Sequence, residues 1–584
     1  MIKVNRKVHS PQSTVHSFVT RNFLPFILIL CSLSVSAHSD SVKYRSPLDI
    51  PVTLAGTFCE LRGSHFHAGI DIRTNGKEGL PVYAIESGHV VRIKISKNGY
   101  GKALYIEHPN GHTSVYAHLQ KFSDKIEKQI RKLQYTKESF EVDEYFSAGT
   151  ITVEKGEVIA LSGNSGRSFA PHLHFEIRDS KTEHPLNPLA FLAPITDNTA
   201  PVMNDLLIYK ANDSKARLFP QREKIVKRTT GYALSKDTLT VGFQNVNFGI
   251  NTLDGNGVGG KNGVYELTAS MDGNEFYRFV MDRLSFDETR YALAHNDYRQ
   301  NQRNDIKVHR LYKLPGDYFS FYDKLQNNGV VQLDFIAKEI TITAKDFNGN
   351  TSTLSFFMRY DATVPLPDFS SLTYDTLFDF RVDNVFQNNE VKVFLPKNAC
   401  YDSLYFNYEK LSEAQLGKTY SAVYRIHTEE EPAHLNFTLA IKPAWIQENL
   451  KSKFMIVRET KGQKIESKET SWDGDFLKAK TRDFGKYYAL VDTVPPKITP
   501  QNIYNNKTMT GLSSIQIKVT DEIAGLKTYR GEVDGKWVLM EYDEKNDLLT
   551  YFFDWRTEPG EHTFAFKATD YVGNESSYQA KFVK

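Results

Sequence analysis

Six consecutive residues, His172-Leu173-His174-Phe175-Glu176-Ile177, alternate strictly between ionisable and large apolar side chains. A period of two belongs to a β-strand and not to an amphipathic helix, because successive side chains on a strand face opposite sides of the sheet. Leu173 and Phe175 then bury in a core while His172 and His174 share the other face. One histidine on an apolar strand is most simply a core residue with its hydrogen bonds satisfied. Burying a ring without a partner costs roughly 1–3 kcal/mol, however, and this chain gathers several more ligand-type residues upstream.

Two further stretches carry them. Ser64-His65-Phe66-His67-Ala68-Gly69-Ile70-Asp71 adds a nitrogen and an oxygen, with Gly69 permitting a close backbone bend. Tyr116-Ala117-His118-Leu119 places His118 at the end of a hairpin strand. Two imidazoles and a carboxylate that hold a divalent metal, with two more imidazoles beside it, are the kit of a zinc hydrolase with one open coordination position. His65 shares a strand face with His67 but lacks its His-x-x-x-Asp spacing. His89, His108, His112 and His184 fall near turns or strand ends and are expected to be solvated. Arg62 reads either as a structural ion pair or as an electrophile.

The order His-x-x-x-Asp, Tyr-Ala-His-Leu, Gly163-Asn164-Ser165-Gly166 and Pro171-His172-Leu173-His174-Phe175-Glu176 resembles the lysostaphin/LytM family of zinc peptidases, which cut peptide cross-links in bacterial peptidoglycan. The resemblance covers roughly residues 50–192, including Gly79-Leu80-Pro81-Val82 and Asn187-Pro188. It implies a small antiparallel β fold with a narrow groove. It also implies that His67, Asp71 and His174 bind one Zn2+ ion, while His118 and His172 act on the water and the developing oxyanion. His172, tethered beside His174, is the favoured base, although sequence does not assign the two roles. Family members carry a tyrosine upstream of the first ligand, and residues 58–66 contain none.

A chain of 584 residues is too long for one core. Its 38 Phe and 31 Tyr, with many Thr-rich alternating runs, lean towards β structure. Asn98-Gly99-Tyr100-Gly101 and Pro109-Asn110-Gly111 between apolar runs are hairpin signals. Over residues 122–135 the pattern changes: Ile126, Ile130 and Leu133 follow a helical period, predicting a helix packed on the sheet or standing as a wall beside the cleft. Beyond residue 192 the chain repeats itself. Thr199-Ala200-Pro201, Thr363-Val364-Pro365 and Thr493-Val494-Pro495 each follow an aspartate, Asp197, Asp361 and Asp492. Asp346-Phe347-Asn348-Gly349-Asn350 is echoed by Asp570-Tyr571-Val572-Gly573-Asn574, each predicting the turn of a closing sandwich hairpin.

The expected fold class is mainly β: an N-terminal antiparallel β peptidase domain with a short helical insertion, then two to four β-sandwich, immunoglobulin-like modules. The boundaries read as a signal peptide over 1–37, a zinc peptidase domain over 38–195 with its insertion at about 121–150, β module(s) over 196–360, a sandwich over 361–491 and another over 492–584.

Residues 1–39 hold no acidic side chain, and a basic leader precedes an apolar run that ends at Val35-Ser36-Ala37. This reads as a secretory signal, with an uncleaved anchor as the alternative. Cys31 lacks the small preceding residue of a lipid-attachment motif. Only Cys59 and Cys400 follow it, so no disulfide framework is expected. A net charge of +2 argues against nucleic acid as a partner. The expected function is an exported endopeptidase, periplasmic or at the cell surface, with no membrane span in the mature chain. Its expected partners are peptidoglycan stem peptides or cross-bridges, and a protein partner held through the C-terminal modules. The alternatives are a catalytically silent family member that binds wall or activates another hydrolase, and a zinc peptidase acting on protein.

Overall fold

The computed structural model describes residues 43–229, 231–255, 262–415 and 417–584. The signal expected over 1–37 lies outside them. Among the described residues no helix is long and apolar enough to cross a membrane.

The histidine-bearing segment does form a strand, His172–Asp179, and it lies in the middle of the first sheet. Ile70–Arg73 pairs antiparallel on one side and His112–Ala117 on the other, which sets His174 opposite both Asp71 and Ala117. Leu173, Phe175 and Ile177 are fully buried on one face, leaving His172, His174 and Glu176 on the other. The sheet continues through Lys102–Glu107, Gly88–Ile95 and Val142–Tyr145 by antiparallel pairing, with Leu54–Gly56 beyond Ile70–Arg73. Both hairpin turns expected from their Asn-Gly signals are present. A small second sheet joins Pro81–Tyr83, Val158–Leu161 and Lys121–Phe122.

The helix runs Asp124–Lys137 and buries Ile126, Ile130 and Gln134. Leu133, expected on the buried stripe, is only partly covered, because Gln134 turns inward to donate to the Phe140 carbonyl at 2.8 Å. The outer side of this helix meets the end of the chain. Tyr135 packs edge-on to Trp537 and against Trp555, its hydroxyl donates to Asp554, and Arg530 pairs with Glu138 at 2.6 Å.

Three β modules follow. Twelve strands from Val202–Lys210 to Thr351–Tyr360 form the first, closed by the hairpin Lys338–Lys345 and Thr351–Tyr360 around the Asp346–Asn350 turn. The second is a sandwich of two five-stranded sheets, one built around Phe437–Ile441 and the other around Gly485–Val491, over a separate apolar core. The last packs a four-stranded sheet on a five-stranded one and ends in the hairpin Glu561–Asp570 and Glu575–Val583. Cys59 and Cys400 are both free, buried thiols.

Candidate active site

Strand pairing alone brings Asp71 and His174 together, and the turn before Ile70–Arg73 swings His67 over them. Gly69 contributes space here: a Cβ at this position would lie 2.4 Å from the Phe175 carbonyl oxygen. His67 Nε2 lies 3.1 Å from Asp71 Oδ1, His174 Nδ1 lies 3.0 Å from the same oxygen, and the two ring nitrogens are 3.0 Å apart. A tetrahedral zinc with bonds of about 2.0–2.1 Å holds its ligands roughly 3.3 Å apart, so this small triangle suits three ligands and leaves a fourth corner open. His67, Asp71 and His174 are all buried.

The far nitrogens decide the tautomers. His67 Nδ1–H donates to the Thr57 carbonyl at 2.8 Å, and His174 Nε2–H donates to Glu176 Oε1 at 2.8 Å. The nitrogens that face one another both carry lone pairs when the rings are neutral, and at 3.0 Å they then repel unless a metal ion or a proton stands between them. The residues fit a metal. Glu176 and Arg178 complete the support: Arg178 Nη2 reaches Glu176 Oε2 at 2.6 Å, and the Tyr100 hydroxyl donates to Oε1. Burial would raise the Glu176 carboxyl, but Arg178 and His174 outweigh it and hold it near about 2. Burial would likewise lower His174, yet Asp71 and Glu176 push that ring up to about 9, so that without a metal a proton on Nδ1 fills the gap the cation would occupy.

His118 and His172 flank the cluster in matching fashion. His118 follows Ala117 at a left-handed φ of 57° and donates Nδ1–H to the Ser165 carbonyl at 2.9 Å. His172 donates Nδ1–H to the Ala170 carbonyl at 2.8 Å. Each ring is thus left with an unprotonated Nε2, and that of His172 stands 3.4 Å from Asp71 Oδ1. The ring centroids are 4.8 Å apart. Burial, reinforced by His174 and His172, pulls the His118 imidazole down to about 3 and keeps it neutral. The Ser165 loop can lie this close because residue 101 is glycine: a Cβ there would sit 2.4 Å from the Ser165 carbonyl carbon. Phe169, fully exposed, projects from the same loop.

All five residues expected at the centre are thus brought together. His65 stays exposed and outside the cluster. Arg62 pairs with Asp71 Oδ2 at 2.7 Å and Glu60 Oε1 at 2.9 Å, the ion-pair alternative of the two. His108, expected in solvent, is instead buried at 2% exposure, because Ser87 and Ser114 supply partners for both its nitrogens at 3.0 and 2.8 Å. Sequence reasoning passed over Thr57, Tyr100, Ser165 and Arg178, and assigned no role to Glu176. The signal for Glu176 was present, two residues beyond His174 on the same strand face.

Residues 65–135 and 143–188 match peptidase family M23. The N-terminal domain is a lysostaphin/LytM-type M23 domain. Over 133 residues the M23 segment is 35% identical to the DD-carboxypeptidase/endopeptidase Mpg of Neisseria meningitidis, covering 23% of this chain and 24% of that protein. Lysostaphin of Staphylococcus simulans is 30% identical over 180 residues, covering 28% and 31%. The chain spans about a quarter to a third of the length of these relatives. Among solved structures, the catalytic domain of lysostaphin from Staphylococcus simulans is 27% identical, covers 24% of this chain and 86% of that one, and superposes with a TM-score of 0.17. Downstream of the M23 domain, residues 375–492 match a Zu5-like domain.

Proposed function

We propose that this chain is an exported, zinc-dependent endopeptidase that hydrolyses peptide cross-links of bacterial peptidoglycan. The observation that carries the reading is the tight triangle of ligand atoms, with His67 Nε2 and His174 Nδ1 3.0 Å apart beside Asp71 Oδ1. The peptidoglycan substrate rests on the M23 match and on a relative 33% identical over 112 residues, the peptidoglycan DD-endopeptidase ShyB of Vibrio cholerae.

Zinc held by His67, Asp71 and His174 supplies Lewis acidity to a scissile carbonyl and lowers the pKa of a water towards about 7. The chain's own residues do the rest. His172, fixed by the Ala170 carbonyl, takes a proton at Nε2 from the attacking water and returns it to the leaving amine. His118, fixed by the Ser165 carbonyl and kept neutral, aims its Nε2 lone pair at the attacking water and accepts a hydrogen bond that orients it. Neither ring must reorient, because each Nδ1–H is already committed to backbone.

A catalytically silent role sits poorly with five residues kept in register. The test is digestion of purified peptidoglycan by the zinc-loaded chain, with and without chelator, scored by new amino termini. Release that chelator abolishes and zinc restores is expected. No release from peptidoglycan of any cross-link type would overturn the reading, and cleavage of unfolded protein instead would move the substrate to polypeptide.

A further inference from the structure

A second group of ligand-type side chains lies between the M23 domain and the first β module. Asp197, Asp254 and Asp346 bring carboxylate oxygens within 4.8 Å of one another. They come from far apart in the chain: the segment entering the module, the residue after Asn245–Leu253, and the turn after Lys338–Lys345. Asp254 and Asp346 are only 5% and 4% exposed. All three line a cavity of about 120 Å³ whose opposite wall is Val52, Thr53, Leu54, Thr57 and Phe58 of the M23 domain. Among the described residues no lysine or arginine lines that cavity.

Asn262 is the independent observation. It lines the same cavity, is 2% exposed, and neither atom of its carboxamide has a hydrogen-bond partner among the described residues. A buried amide left unsatisfied is costly and calls for a ligand.

We infer that this is a calcium site, with Asp197, Asp254 and Asp346 as carboxylate ligands and Asn262 binding through Oδ1. The donors are all oxygen, with no imidazole or thiol, which selects a hard cation. The carboxylate oxygens all lie within 4.8 Å of one another, close enough to share one ion that holds oxygens at roughly 2.3–2.6 Å, and a cage built of protein oxygens suits calcium, since magnesium keeps several of its waters. The Asp346 carboxylate is already oriented, accepting from Asn350 N at 2.9 Å and Asn350 Nδ2 at 2.7 Å. The site also adjoins the peptidase centre. Gly263 N, next to Asn262, donates to Thr57 Oγ1 at 2.9 Å, and the Thr57 carbonyl is the group that fixes His67. A cation here fastens the first β module to the M23 domain at the residue that orients a ligand.

The test is calorimetric titration of the chelator-stripped full chain with calcium chloride, alongside thermal melting. It is run in an Asp521→Asn background, which silences the similar triad Asp492, Asp521 and Asp570. Calcium should bind and raise Tm progressively. Asp346→Asn should lose one equivalent and its share of the Tm rise, while melting in chelator near the parent. Asn262→Ala, which leaves the charges intact, should weaken binding about tenfold or more. Unchanged stoichiometry and Tm response in both variants would overturn the assignment, as would equal affinity for magnesium.

Discussion

Arg62 Nη2 lies 2.7 Å from Asp71 Oδ2, while Asp71 Oδ1 faces the two ring nitrogens of His67 and His174. One carboxylate thus divides its oxygens between a guanidinium and the proposed metal position. Glu60 holds the guanidinium from the other side, so the orientation of Asp71 is fixed independently of what it binds. Removing such an outer partner lowers metal affinity by roughly 10–100-fold, and Arg62→Met should do so in a zinc competition assay, with Arg62→Lys recovering part. Wild-type affinity with a reduced kcat would place Arg62 on the substrate instead.

The ligand and flanking histidines should separate cleanly. His174→Ala is expected to lose both bound zinc and hydrolysis. His118→Ala should keep its zinc and lose about 10²–10⁴ in rate, the range for a removed proton-transfer group. Metal content by mass spectrometry beside amino-terminus release reads both, and an empty His118→Ala site would reverse the assigned roles.

Glu176→Gln tests the support beneath His174. The amide can still accept from His174 Nε2, but it leaves the buried Arg178 guanidinium with only the exposed Glu183, 3.2 Å away, as counter-charge. Breaking a buried pair in this way costs roughly 3–5 kcal/mol. The expected outcome is a marked fall in the unfolding midpoint of the M23 domain. A loss of stability below about 1 kcal/mol would mean that the pair is worth no more than one on the surface.

Much of the centre was legible because strand alternation is a local rule: once His172 and His174 share a face, Glu176 must share it as well. The support was less legible because it depends on register. Nothing in the sequence says that Asp71 sits opposite His174, or that the Thr57 carbonyl lies under His67, until the strands are paired. The helix shows the same limit in miniature. Its period was readable, but Gln134 displaced Leu133 from the buried stripe through a hydrogen bond to Phe140 that lies outside the helix. The triad Asp197, Asp254 and Asp346 was wholly hidden. Two of its members belong to repeated turns, yet the third is distant in sequence and carries no motif.

Asp317 supplies a pH test away from the centre. Burial pushes its carboxyl up to about 7, opposed only in part by the Phe319 N–H and Lys313. In the unfolded chain it titrates near 3.9. Between about pH 4 and 7 the folded protein therefore holds a proton that the unfolded chain has released. Its stabilising share is full below that window and is lost as pH rises through it. Asp317→Asn keeps the acceptor for Phe319 N and removes the loss. The stability of the variant relative to the parent should climb by on the order of 4 kcal/mol from pH 4 to 8 in urea unfolding. A flat difference would show that the carboxyl titrates normally.

Lys545 caps the Asn164 carbonyl 381 positions upstream, and Lys102 with Glu541 closes the same seam at 2.7 Å. The loop that fixes His118 is thus braced from near the far end of the chain. During synthesis the nascent histidines leave the ribosome long before their brace has been made. A polypeptide interrupted before Glu541 and Lys545 would carry every residue of the centre and still lack that support, so the groove matures only after those two residues have been made and folded.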